Sequence, residues 1–454
     1  MQDIDVLYLY EYAARELDVA CAVKAIAEQH YGLKIHVDQH PFGEMLSDLT
    51  RFRPRIVAIP QVTSSNIPYV LEWPDAVYVN LMWEQILYKG NAKAKMPRGE
   101  FALRHMVHHV WGQESADLLK EQSVLATHIY INGNPTYALY QEPYRRYYER
   151  RDELARLYHL DPAKPWIFFP ENYNWAFYND VQLQSFVISG QSVDEIYTMR
   201  DFCVRSFDEV MRWCEAAANR GRVEVIVRPR PGTPLADFQN AVRKVVTTIP
   251  EHLHIVKDES VREWIINSDV VVTSYSTSLI EAAVAGKPVY ILEPYPIPEA
   301  IGMDWHDLAP HIKARAEFEA MCQNAAVVAP DPRLGEWAQA MMMPRGDAIW
   351  GLTDFFYRLS RRQAARPPLL PRESVALPAN FNLPPLLLFE YHKALRGYQR
   401  FRRKMFKTPV RPNPTHEREL VGQAEIARRV EQWRSLIANQ REKDVEREKL
   451  SFGS

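Results

Sequence analysis

Residues 269–292, DVVVTSYSTSLIEAAVAGKPVYIL, run apolar, break into the hydroxyl-bearing Ser274, Tyr275, Ser276, Thr277 and Ser278, and turn apolar again. One hydroxyl is enough to cap the first turn of a helix. Several hydroxyls where a buried strand hands over to a helix predict more than a cap, namely contact with an anion, phosphate above all. Glu281, one turn further on, is either a charge favoured by the helix dipole or a carboxylate accepting two hydroxyls of a ribose. In RPRPGTP, Arg228 and Arg230 are separated by prolines on a segment that is not free to form a helix. Two guanidiniums there suit a phosphate or a carboxylate; a solvated basic turn is the plain alternative. Lys257 and Asp258 end another apolar run, as a surface ion pair or as contacts to a base or sugar.

Carboxylates supply the other candidate chemistry. Glu11 lies in YEYAARELD, close to Arg15, Glu16 and Asp18, and Glu84 lies in NLMWEQILYKG. Each is a general base toward an acceptor hydroxyl or an acid placed by a helix dipole or strand end. Glu171 and Asp258, at strand carboxyl ends, are by position the candidate carboxylate nucleophiles. His105, His108 and His109 look like a metal cluster, but HHVWG reads as a strand, whose neighbouring side chains point to opposite faces. No zinc site is expected there. Asp3-Ile4-Asp5 matches D-x-D in form, yet it precedes the first strand and reads as a solvated start. The chain has no G-x-x-x-x-G-K-[ST] and no G-x-G-x-x-G, which argues against P-loop chemistry and a dinucleotide oxidoreductase.

These residues need elements that bring strand ends together. Apolar runs at 5–10, 33–37, 55–60, 76–80, 108–112 and 127–133 predict strands, with helices at 16–30 and 114–122. A second series of strands is expected at 166–170, 223–229, 252–257, 269–274, 288–292 and 325–330. A long helix after its first strand carries Val193, Ile196, Cys203, Phe207, Val210 and Cys214 on one face. Strands alternating with helices mean parallel, doubly wound sheets, so the fold class is α/β with two such units in tandem. Ligands of an open parallel sheet bind at strand carboxyl ends where strand order reverses. In the second unit that reversal is expected between the first and fourth strands, setting the hydroxyl run opposite Glu171, Asn172 and Tyr173.

At 454 residues the chain is long enough for two to three domains. A net charge of −2 argues against a nucleic-acid binder. Four scattered cysteines form no zinc or disulfide pattern and suit a reducing cytoplasm. The first residues are acidic, unlike a signal peptide, and no run approaches the ~18 apolar residues of a spanning helix. Beyond about residue 345 the chain turns rich in Pro and Arg and ends in a charged helix at 423–449. Segment 386–408 mixes aromatics with Lys and Arg; as a helix it either folds back on the N-terminal domain or meets anionic lipid.

The segment 269–292 resembles the donor site of capsule and surface-polysaccharide transferases, including CDP-glycerol transferases. HHVWGQESADLLKEQSVLATHIYINGNPTY is similar to the segment closing their N-terminal domain. ARELD, NLMWEQ and FFPENYNWAFYND resemble bacterial surface-carbohydrate biosynthesis proteins, Kdo transferases that use CMP-linked sugar among them. This resemblance implies a GT-B glycosyltransferase: two tandem doubly wound, Rossmann-like domains facing a cleft, at 1–145 for the acceptor and 146–345 for the nucleotide sugar. A helical extension would occupy 346–454. It implies a metal-independent reaction without cofactor, a glycan or lipid-linked glycan acceptor, and a cytoplasmic setting, with peripheral contact at the inner membrane face left open. Many relatives carry Arg-Pro-His-Pro where this chain has Arg228-Pro229-Arg230-Pro231. Arg230 can replace such a His as a phosphate ligand but not as a proton carrier. A non-hydrolysing sugar-nucleotide epimerase and a non-catalytic GT-B scaffold are the rival readings.

Overall fold

Apolar runs such as residues 6–10 and 166–169 are buried along their whole length, which a strand achieves when helices cover both faces of its sheet. A computed structural model gives the fold over residues 2–40, 51–62, 72–87, 95–188, 192–230, 232–369, 405 and 421–451, with side chains in the last stretch up to 438. Apart from Met405, segment 386–408 lies outside the described residues. Two compact units emerge: of the described residues, the first holds those up to 138 and from 341 on, and the second those from 139 to 340.

The first unit is a sheet of six parallel strands: β1 (Gln2–Tyr10), β2 (Ile35–Gln39), β3 (Phe52–Ile59), β4 (Val77–Asn80), β5 (Met106–Val110) and β6 (Ile129–Ile131). Their order is β2-β1-β3-β4-β5-β6, so the reversal falls between β1 and β3. Val6 sits opposite Ile35 on one side and Ile56 on the other. Helix α1 (Asp18–Ile26) is flanked by π-helical turns at Ala13–Leu17 and Ala27–Tyr31, and α2 (Gln113–Glu121) follows β5.

The second unit holds β7 (Trp166–Pro170), β8 (Glu224–Arg228), β9 (Leu253–Ile255), β10 (Val270–Thr273), β11 (Val289–Leu292) and β12 (His311–Ile312). The order β12-β11-β10-β7-β8-β9 puts the reversal between β7 and β10, as the sequence predicts. Helix α3 (Val193–Asn219) buries Ile196, Cys203, Phe207, Val210 and Cys214 but leaves Val193 exposed. Helices α4 (Val261–Asn267) and α5 (Ser278–Val284) precede and follow β10. Residues 325–330, expected as the sixth strand, are not one: they leave the end of a helix, and Val327 is 81% exposed. The edge position belongs to β12, two residues long.

Helices α6 (Ala348–Ser360) and α7 (Gln423–Ser451) belong to the first unit. Gly351 lets α6 approach β6, because a Cβ there would lie 2.0 Å from Asn132 Oδ1, and Asn132 donates to the Ala348 carbonyl at 2.8 Å. On α7, Ile426, Val430, Trp433 and Ile437 are buried at helical spacing, and the helix packs on α1. Arg429 meets the buried Asp18 at 2.9 Å. Replacing a fully buried tryptophan leaves a cavity. Trp433→Ala is therefore expected to lower the unfolding free energy by about 3–5 kcal/mol in urea titration, and a loss under about 1 kcal/mol would show that α7 adds nothing to the first unit.

Candidate functional site

At the reversal of the second sheet the Thr273 hydroxyl donates to the Pro170 carbonyl at 2.8 Å, closing the seam between β10 and β7. Glu171, the next residue past β7, is 2% exposed. Its amide donates to the Arg228 carbonyl at 2.9 Å, and its Oε1 accepts the Tyr173 amide. Its Oε2 has no hydrogen-bond partner among the described residues, and neither does the buried hydroxyl of Ser274, the first residue past β10. Burial pushes the Glu171 carboxyl up to about 7, against the pull of the Tyr173 amide, Arg230 and Lys257. A carboxyl group poised there gives or takes a proton near neutral pH.

Arg228, at the end of β8, is 7% exposed and donates to the Glu259 carbonyl at 2.9 Å. Glu259 adopts φ +64°, a conformation few non-glycine residues take. Its carboxylate lies 3.6 Å from Arg150, which also binds Glu263 at 2.8 Å. Burial, then repulsion by Glu263, pushes Glu259 up to about 7. Arg230 is exposed and close enough to act on both Glu171 and Tyr275. Lys257 donates to the carbonyls of Arg230 and Thr233, fastening the turn that carries Arg230. Asp258 is exposed, and its carbonyl accepts the Trp264 indole N–H at 3.3 Å.

The hydroxyl run divides its labour. Thr277 occupies the N-cap position of α5 without capping it; Ser276, one residue earlier, accepts the Ser278 amide at 3.3 Å and donates to the Ser278 hydroxyl at 3.2 Å. The Tyr275 hydroxyl lies 3.5 Å from Cys203 Sγ and its ring packs near Phe202. Glu281 accepts the Tyr140 hydroxyl. Tyr140 lies under the guanidinium of Arg262, which is 1% exposed, also sits over Tyr148 at 5.2 Å, and donates to that hydroxyl at 3.3 Å. No local sequence signal could reveal this arrangement, since Tyr140 and Glu281 are 141 residues apart.

The other acids lie in the first unit. Glu11 follows β1, and its amide donates to Glu16 Oε2 at 2.6 Å. Arg15 donates to Glu16 Oε1 at 2.9 Å and lies 3.5 Å from Glu84, whose second oxygen pairs with Lys95. Burial raises the Glu84 carboxyl, but Lys95 and then Arg15 outweigh it and hold it below its ordinary value. Asn80 shapes the loop to Glu84 by accepting the Val62 and Met82 amides at 3.1 and 3.3 Å, with Met82 at φ +47°. Lys95, which the sequence reading did not single out, is thus part of this cluster. Glu11 and Glu84 share one unit; Glu171 and Asp258 share the other.

The histidines are structural. His108 lies 2.7 Å from the Ala102 carbonyl and 3.2 Å from Asn80, while His109 meets Leu81 and Asn132 at 3.2 and 3.0 Å. Burial holds both near 4, so they are neutral. His105 is bonded to the Pro368 carbonyl. Among the described residues no group of three His, Cys, Asp or Glu is arranged to hold a metal, and no helix is long and apolar enough to cross a membrane.

No protein-family model matches the chain. No curated protein sequence matches it. Among solved structures, a point variant of the wall teichoic acid polymerase TagF superposes with a TM-score of 0.52 at 9% identity, over 80% of this chain and 89% of that one. TagF itself gives 0.52 at 10% identity over 79% and 89%. The S. aureus MnaA–UDP complex gives 0.46 at 11% identity over 80% and 95%. The likeness to TagF shows the fold: GT-B, two tandem doubly wound α/β units with a helical C-terminal part.

The raised Glu171 carboxyl has a consequence for stability. Its folded value lies above the ordinary 4.5, so the folded protein holds the proton more tightly. The stabilisation is full below pH about 4.5 and is lost as pH rises through about 7. Glu171→Gln keeps an acceptor for Tyr173 and cannot ionise. Relative to wild type it is expected to gain stability between pH 5 and 8, by up to roughly 3 kcal/mol, in paired denaturant titrations. A constant difference between the two proteins across that range would rule out a protonated, buried Glu171.

Proposed function

We propose that the protein is a glycosyltransferase that moves a sugar from a nucleotide-sugar donor to an acceptor of surface-polysaccharide assembly. The observation that carries this reading is the convergence, at the β7–β10 reversal, of the near-neutral carboxyl of Glu171, the anchored Arg228, the exposed Arg230 and the hydroxyls of Ser274 and Ser276. Open parallel sheets bind nucleotides at such a point. Arg230 and the serine hydroxyls would take the donor phosphate, and Glu171 would exchange a proton with the sugar or its leaving group. The first unit would present the acceptor, with Glu11 and Glu84 as carboxylates near its hydroxyl. A CMP-linked, Kdo-type sugar is the favoured donor, from the resemblance to Kdo transferases, and the acceptor is a glycan or lipid-linked glycan. Four free, buried cysteines suit a cytoplasmic setting, with peripheral membrane contact where the acceptor is lipid-linked.

A thermal-shift panel of CMP, CDP, UDP and GDP tests the donor site, since a ligand at 100 times its Kd stabilises by about 2.7 kcal/mol. CMP is expected to give the largest shift. Arg230→Ala and Ser276→Ala should reduce that shift while leaving the unliganded protein's melting within a degree or two, about what replacing solvent-side residues does. Equal shifts in variants and wild type would remove the assignment. Conversion of a sugar nucleotide without any acceptor would replace the transferase with an epimerase. Turnover is expected to survive EDTA unchanged; loss restored by Mg²⁺ or Mn²⁺ would make the reaction metal-dependent.

A further inference from the structure

The amino edge of the first sheet, opposite the end that carries Glu11 and Glu84, borders an open cavity of about 620 Å³. Among the described residues five cationic side chains line it, Lys34, Arg53, Arg55, Arg362 and Arg366, against three carboxylates, Asp3, Asp5 and Asp75, a surplus of two positive charges (5 − 3). Two of the acids are already engaged. Asp3 takes Arg53 in two bonds of 2.6 and 2.9 Å, and Asp5 accepts the Lys34 amide at 2.9 Å and lies 3.4 Å from Arg55. Arg362, Arg366 and the Lys34 ammonium are left against Asp75.

The arginines are built into this position. Arg366 donates to the Leu359 carbonyl at 3.0 Å and reaches the Ser360 carbonyl at 3.5 Å, so the end of α6 fixes its guanidinium. Burial, then repulsion from Arg362 and Arg55, depresses its pKa. Arg362 ends the same helix at φ +59°. Its amide donates to the Leu359 carbonyl at 3.2 Å and the Gln363 amide to the Arg358 carbonyl at 2.8 Å. Those are the paired bonds of a Schellman turn, whose left-handed residue is ordinarily glycine. An arginine there strains the backbone, where glycine would not, and adds charge to a cluster that already repels itself. An anion offsets both penalties, and a dianion matches the surplus of two.

We propose that this cavity binds a phosphate-bearing ligand, a phosphate monoester or pyrophosphate group seated among Arg55, Arg362 and Arg366. Several oxygens on one centre can engage three guanidiniums at once, as a single carboxylate cannot. The site lies in the first unit, apart from the nucleotide site proposed at the β7–β10 reversal.

Arg362→Gly separates the proposal from folding, because glycine is the relaxed residue at this position. In calorimetric titration of the full chain, inorganic pyrophosphate is expected to bind the wild type. Arg362→Gly should bind it tenfold or more weakly, with an unchanged or higher melting temperature and unaltered CMP affinity. Equal pyrophosphate affinity in the two proteins would overturn the site. Sedimentation with phosphatidate–phosphatidylcholine vesicles distinguishes the source of the phosphate. Co-sedimentation of wild type but not of Arg362→Gly assigns a lipid headgroup, and pyrophosphate binding without co-sedimentation assigns a soluble ligand. Binding of neither would also overturn it.

Discussion

Burial of a carboxyl group where the second sheet reverses is the interaction on which the candidate site depends. β7 and β8 are buried along their whole length, so polar groups of this sheet collect at strand ends. An isolated carboxylate moved there from water costs several kcal/mol. Glu171 meets that cost by holding its proton up to about pH 7 and by offering one oxygen to the Tyr173 amide. Its own amide is tied to the Arg228 carbonyl, so the same residue that fixes Glu171 must also place a guanidinium in a buried position. That guanidinium ends on the carbonyl of Glu259, whose backbone is left-handed. One buried acid thus constrains the ends of β7 and β8 and the turn after β9.

The first unit solves a similar problem in the opposite way. Glu84 stands a few residues past β4 and is half-buried, yet Lys95 and Arg15 keep it charged. Glu16, fully buried, has the Arg15 guanidinium beside it, yet burial wins and its carboxyl is raised. Position past a strand end therefore does not decide the state of an acid. The balance of burial against direct ion pairing does: Glu171 feels two cations, Arg230 and Lys257, and is raised, whereas Glu84, less deeply buried and in contact with Lys95 and Arg15, is held down. A fully ion-paired Glu84 is a poorer proton acceptor than an acid whose charge is not already balanced.

Most of the frame was legible in the sequence, because strands buried on both faces are written as unbroken apolar runs; 166–170 and 269–274 fall within a residue or two of β7 and β10. The reversal between them followed from strand–helix alternation. The run at 325–330 misled because apolar content does not distinguish a strand from the frayed exit of a helix, and Val327 shows the difference only through its exposure. β12 was invisible: two residues, His311 and Ile312, carry no periodicity. At the site, the residue types past β7, β8 and β10 pointed to strand ends that adjoin the reversal of the sheet. Their partners did not. The bond from Tyr140 to Glu281, the stacking of Arg262 on two tyrosines and the approach of Lys95 to Glu84 all join residues far apart in the chain. The cap does fall within the hydroxyl run, where Ser276 accepts the Ser278 amide.

The two strained charged residues, Glu259 at φ +64° and Arg362 at φ +59°, bear on the same point. Glycine would relax the backbone at either position, so neither side chain is there for the turn alone. At Glu259 the structure contains the compensation: the carbonyl holds Arg228 at 2.9 Å, and the carboxylate lies beside Arg150. Strain of this kind persists where surrounding bonds over-determine the conformation, and here they do. At Arg362 the backbone bonds of the Schellman turn are equally complete, but they would be as good with glycine, and the nearest charges that act on Arg366 are other arginines. At Arg362 the charge has local company of both signs: the end of α6 favours a cation through the helix dipole and Asp75 lines the same cavity, while Arg55 and Arg366 oppose it. The two positions therefore differ in kind, since Glu259 is held by bonds its own carbonyl and carboxylate make, and, among the described residues, the Arg362 side chain is held only by longer-range charge.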